Sequence, residues 1–167
     1  MVGLAPGAHG SNRTGRMFTG DASGDFLFPT LYNQGFANQR ESQVRGDGLK
    51  LIDLYITAIC RCVPPKNKPT ATEINTCVPF LQREIEMMDN LQVVVSLGAM
   101  AHSTTLHLFS TESEKNSIPF KHGGVGNLKN GIKLVSSYHP SRQNTQTGKL
   151  TQTMFDNVWL LVRNLLH

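Results

Sequence analysis

Three polar segments, each punctuated by glycine or proline, hold the residue types in this chain that could do chemistry. The first reads Gly3-Leu-Ala-Pro-Gly-Ala-His-Gly-Ser-Asn-Arg-Thr-Gly-Arg-Met-Phe-Thr-Gly-Asp21. Its glycines, Gly3 and Gly7 among them, let the backbone approach a ligand closely and present amide donors. Arg13 and Arg16 offer positive charge. Phe18 offers a flat face on which a base could stack. Asp21 stands just before a helical pattern, where a carboxylate can cap the helix, handle a water, or do both. The second segment, Arg61-Cys-Val-Pro-Pro-Lys-Asn-Lys-Pro-Thr70, carries Asn67. The third, Ser136-Ser-Tyr-His-Pro-Ser-Arg-Gln-Asn-Thr-Gln-Thr-Gly148, sets His139 between an apolar run and Pro140. Its tip, Arg142-Gln143-Asn144, can reach into a groove.

These segments need a scaffold, and the rest of the chain predicts one. Apolar runs at 1–4, 54–59, 93–97 and 132–138 read as strands. Helical spacing occupies 21–34, stopped by Gly35. A helix over 70–89 opens with a capping box, Thr70 followed three residues later by Glu73, and Pro79 should kink or restart it. Further helices are expected at 98–109 and 151–166. Strands rich in Val, Ile and Leu that alternate with helices predict an α/β fold. The expected form is a three-layer sandwich with a central four-stranded parallel sheet, in one domain. In such folds ligands bind beyond the carboxyl ends of the strands. All three polar segments follow strands. The Gly-rich stretch 113–133, with His122-Gly-Gly-Val-Gly126, does not follow a strand and open a helix as a nucleotide fingerprint must. It reads as a solvent loop with room for a hairpin.

The chain has 167 residues, 39% of them hydrophobic and 17% charged, which fits a single globular core. No apolar run nears the ~20 residues of a membrane-spanning helix, and no secretory signal pattern opens the chain. A cytoplasmic location, no membrane partner and a monomer are therefore expected. The net charge of +4 suits a polyanionic partner such as DNA. The three cysteines, Cys60, Cys62 and Cys77, are odd in number, which argues against a disulfide framework. Their clustering leaves two readings open, a metal or iron–sulfur site and a set of small buried hydrophobes.

Taken together, segments 3–21, 61–70 and 137–148 resemble the three signature segments of the family 5 (type B) uracil-DNA glycosylases. The resemblance runs over nearly the whole chain, including Val93-Val-Val-Ser-Leu-Gly98. It implies a monofunctional base-excision repair enzyme that flips a uracil from DNA and hydrolyses its glycosidic bond. By this resemblance Phe18 stacks on the flipped base, and Gly3, Leu4 and Gly7 form the pocket wall. Asp21, Asn67 and His139 are catalytic, and Arg13, Arg142, Gln143 and Asn144 meet the DNA. Leu4 stands where the related family 4 enzymes carry Glu, and this implies tolerance of deaminated purines such as hypoxanthine and xanthine. The family also holds a 4Fe-4S cluster on four cysteines. Cys62 and Cys77 match two of them, and Cys60 falls where an aliphatic residue is usual. The other two would lie upstream of the first strand, so the chain is expected to lack an initial helical segment. An alternative reading is a DNA-binding fragment of the same fold without catalysis. A nucleotide-binding α/β protein is a third, but the chain has neither a P-loop nor a dinucleotide fingerprint.

Overall fold

The computed structural model describes residues 1–109 and 118–166, so residues 110–117, which include the start of the Gly-rich stretch, and residue 167 lie outside the described residues. In chain order the elements are β1 (Val2–Gly3), α1 (Ser11–Thr14), α2 (Ala22–Asn33), β2 (Thr57–Ala58), α3 (Ala71–Glu86), β3 (Val93–Leu97), α4 (Ala99–Phe109), β4 (Val125–Asn127), β5 (Lys133–Ser137), α5 (Arg142–Gln146) and α6 (Gln152–Leu165). The sheet order is β2-β1-β3-β5-β4. The first four of these strands are parallel, as expected, and β4 adds a fifth, antiparallel to β5. The extra strand comes from the Gly-rich stretch, where Gly126 packs so tightly on Ile118 that a Cβ would overlap it.

Alternation along the strands builds the layers. Val94 and Leu134 face one side, with Leu81 of α3 and Ala101 and Leu106 of α4. Val95, Leu97 and Val135 face the other, with Leu27, Phe28 and Leu31 of α2 and Phe155, Val158 and Trp159 of α6. The three-layer sandwich is therefore present, and its core is two apolar clusters separated by the sheet.

Local chemistry sets the helix ends. Thr70 Oγ1 accepts from Glu73 N at 3.2 Å and Glu73 Oε2 accepts from Thr70 N at 2.7 Å, completing the capping box. The α3 helix runs on through Pro79 instead of restarting. Pro79 lies on an exposed face, where water can satisfy the carbonyl that its missing N–H leaves free. Only Thr57–Ala58 of the expected strand 54–59 is assigned as strand, yet backbone bonds from Thr57 N, Ile59 N and Cys60 N to Met1 O, Gly3 O and Leu4 O continue the ladder. No helix among the described residues is long and apolar enough to cross a membrane.

The order places β1 between β2 and β3, so the chain leaves β1 in one direction across the sheet and later returns to its other side. That switch point opens a crevice at the carboxyl ends of β1 and β3.

Candidate active site

A cavity of about 720 Å³ fills this crevice, and all three polar segments line it. Leu4, Gly7, Phe18 and Asp21 come from the first, Asn67 from the second, and His139, Arg142 and Gln143 from the third.

Asp21 is the N-cap of α2. Its Oδ1 accepts from Ser23 N and Gly24 N, both at 3.0 Å. One oxygen thus serves as the cap while Oδ2 faces Gly7 and Gly10 on the cavity side. Gly10 is required by close approach, because a Cβ there would overlap the Asp21 carboxylate. Phe18 sits in the left-handed region at φ 55°. Its amide donates to the buried Ser11 Oγ at 2.9 Å, and a Cβ at Gly24 would run into its carbonyl oxygen. Gly3 lies behind Phe18 and does not line the cavity. A Cβ there would sit 3.0 Å from the tip of the ring.

His139 leaves the end of β5 with its ring centroid 5.9 Å from that of Phe18, tilted by 38°. Burial lowers its pKa from the ordinary 6.5 to about 4, against the opposing pull of the Asp21 carboxylate. The imidazole is therefore neutral at neutral pH, an N–H donor on one nitrogen and an acceptor on the other. Asn144 does not project outward. Its Nδ2 donates to His139 O at 2.8 Å and so ties the loop to the histidine. Ser141 Oγ caps α5 by accepting from Asn144 N at 3.3 Å, leaving Arg142 and Gln143 exposed on the first turn.

Asn67 ends a single 3-10 turn, Pro65–Asn67, in which Lys66 and Asn67 both have positive φ, 53° and 56°. Such backbone in non-glycine residues concentrates at functional sites. The flanking Lys66 and Lys68 also line the cavity. The sequence reading did not single them out, although their alternation around Asn67 was the available signal. They give the mouth a positive rim together with Arg142.

The two arginines of the first segment have other duties. Arg13 is exposed outside the cavity and donates from Nε to His9 O at 2.9 Å. Arg16 is not available to a phosphate, because its Nη2 is paired with Asp47 Oδ2 at 2.7 Å.

The cysteines share a separate small cavity of about 240 Å³ with Val63, Pro64 and Thr76. Cys60 is buried, and burial followed by the neighbouring Cys77 thiol raises its pKa to about 11. It behaves as a packing residue. Cys62 is exposed and Cys77 half-buried. Both line this cavity. No group of three metal-binding side chains is assembled among the described residues.

A family model described as the uracil DNA glycosylase superfamily matches residues 1–163. A type-5 uracil-DNA glycosylase of Thermus thermophilus is 48% identical over 165 residues, which cover 99% of this chain and 74% of that protein. One of Mycobacterium tuberculosis is 43% identical over 166 residues, covering 99% of this chain and 62% of that protein. A type-4 uracil-DNA glycosylase of Thermotoga maritima is 36% identical over 142 residues, covering 84% of this chain and 63% of that protein.

Proposed function

Since the chain belongs to the uracil DNA glycosylase superfamily, we propose that it is a monofunctional uracil-DNA glycosylase, a hydrolase of base-excision repair that removes uracil from DNA. The observation that carries this reading is the meeting of Asp21, Asn67, His139 and Phe18 in one cavity at the switch point of the sheet.

A stacked base hides its glycosidic bond, so the nucleotide must leave the duplex, at a cost of a few kcal/mol. Phe18 then offers its face to the base. Arg142, Lys66 and Lys68 meet the phosphates around the mouth, and Gln143 reaches toward the strand. Cleavage breaks the bond between C1′ and the base nitrogen, and the bonding pair leaves with the base. Positive charge develops on the sugar, where Asp21 Oδ2 can stabilise it. Negative charge develops on the base oxygen, where a neutral imidazole N–H at His139 can donate. Asn67 adds an amide to the base edge. Water then bonds to C1′ and loses a proton toward the Asp21 carboxylate. Asp21 is tied to α2 and Phe18 is buried before substrate arrives, and groups set in advance are what make such electrostatic stabilisation effective.

Three finer points belong to the same proposal. The apolar Leu4 on the wall leaves room for deaminated purines such as hypoxanthine and xanthine. The chain acts as a monomer, an expectation that size-exclusion chromatography with light scattering would test. Cys62 and Cys77 would supply two of the four thiolates of a 4Fe-4S cluster, with two more needed to complete it. Such a cluster would serve as a structural clip between the 61–70 segment and α3. Iron and sulfide analysis of the chain and its Cys62→Ser variant tests the last point, and equal iron content would remove Cys62 from the set.

The activity is tested on a labelled duplex with one uracil, treated with hot alkali after reaction with the parent chain or with Asp21→Ala. A strand break with the parent alone supports the reading. Intact strands with both, while DNA is still bound, would instead support a binding module without catalysis.

A further inference from the structure

Phe18 and Asp21 are three residues apart; Asp21 caps α2, and Phe18 stands before it outside any helix or strand. Phe18 keeps a left-handed backbone that a large side chain rarely adopts. Such a conformation persists only where the surroundings over-determine it. Between the two residues stands Thr19, fully buried, whose Oγ1 lies 2.6 Å from Ser42 Oγ. Arg16 closes the arrangement by donating from Nε to Thr19 Oγ1 at 2.9 Å and from Nη2 to Ser42 Oγ at 2.7 Å and to Asp47 Oδ2 at 2.7 Å. The next amide, Gly20 N, donates to Ser42 O at 3.0 Å. Asp47 is itself fixed by its own turn, accepting from Gln43 N at 3.0 Å and Leu49 N at 3.1 Å.

We infer that Arg16, Ser42 and Asp47 are positioning residues, a clamp in which Ser42 and Asp47, from outside the three signature segments, grip Arg16 and Thr19 of the first and so set the places of Phe18 and Asp21. The inference rests on the glycosylase reading of the site. Its physical basis is geometric. Arg16 and Ser42 fix the buried hydroxyl of Thr19 from two directions, and Asp47 holds the Arg16 guanidinium that does so. Apolar packing of the same volume would not fix it. Directional bonds define the position of the backbone on either side of it, and a displacement of ~1 Å at reacting groups can cost ~100-fold in rate.

The test compares the parent chain, Asp47→Ala, Asp47→Asn and, as a stability control, Asp156→Ala, which loosens the contacts of α6 with Thr30 of α2 away from the cavity. Single-turnover excision of uracil is measured with affinity for the uracil duplex, at equal folded fraction. Asp47→Ala should lower the rate ~10–100-fold with little change in affinity. Asp47→Asn, which keeps an acceptor oxygen, should recover most of that loss. Asp156→Ala should lower the melting temperature and leave the rate alone. Equal rates for Asp47→Ala and the parent, or no recovery with Asp47→Asn, would overturn the clamp. Amide hydrogen exchange gives a readout independent of activity, and Asp47→Ala should speed exchange at Phe18 and Gly20 while α6 is unchanged. If the parent removes no uracil, the glycosylase reading falls and exchange alone decides the clamp, with unchanged exchange at those amides rejecting it.

Discussion

Two cavities of nearly equal size lie at opposite edges of the sheet, about 720 Å³ at the carboxyl ends of the strands and about 680 Å³ at the amino ends. The amino-edge cavity is walled by Leu54, Ile85, Met87, Met88, Leu91 and Leu166, and its arginine is already engaged. Arg163 lies over the Phe36 ring at 3.8 Å, donates to Gln34 O and faces Asp53. At the carboxyl edge the polar groups keep bonding capacity to spare. Asp21 uses one oxygen as a cap, and His139 is half-buried and neutral. Phe18 and Asn67 are kept in left-handed backbone. Volume is therefore a poor guide to a site. What separates the two edges is fixed polar groups with unused capacity, placed where strand direction delivers the loops.

Substitutions at each edge can break this comparison. The largest effect is expected for Asp21→Asn. Asparagine caps a helix as well as aspartate, so stability should hold while single-turnover excision falls ~1,000-fold, within the range for loss of a catalytic carboxylate. Retained excision would show that Asp21 is only a cap. His139→Gln should cost ~100-fold if the imidazole donates to the departing base, and an undiminished rate would remove it from the mechanism. The same residue gives a pH signature. The unfolded chain takes up a proton at this histidine near pH 6.5, whereas the folded chain resists until about 4. Folding stability should therefore fall as pH drops from 6.5 to 4, and His139→Gln should flatten part of that slope. An NMR titration of the ring with its midpoint near 6.5 would contradict the burial argument. Phe18→Ala should weaken excision by ~10–100-fold, in line with ~1–3 kcal/mol for one base stacked on an aromatic ring. At the opposite edge, Ile85→Ala should lower the melting temperature and leave excision unchanged. A loss of rate beyond the loss of folded protein would mean that the amino edge takes part.

Much of this arrangement was legible in the sequence. The near-continuous apolar run Val93–Leu97 records burial on both faces of a central strand, and Thr70 with Glu73 records a helix start in the chain itself. The site residues were legible because the signature segments are contiguous and each follows a strand. What escaped was what depends on distant partners. Arg16 read as a free cation because its counterion lies 31 residues away, in a turn with no periodic pattern. Asn144 read as a tip residue because only the folded loop bends its amide back to His139 O. The β4 strand was missed as a defined element because Val125-Gly-Asn127 has neither the length nor the alternation of a strand and forms only by pairing with β5. Sequence pattern reports which face a residue presents, and side-chain partnerships across loops leave little trace in it.

The most direct test of the account is to locate the substrate on the protein. Backbone amide shifts of the Asp21→Asn variant would be recorded free and bound to a uracil-containing duplex, which it should hold without cutting. The account predicts that the shifts gather at Phe18, Asn67, His139 and Arg142. Shifts at Tyr55, Met88 and Leu91, with the carboxyl-edge residues unmoved, would contradict it.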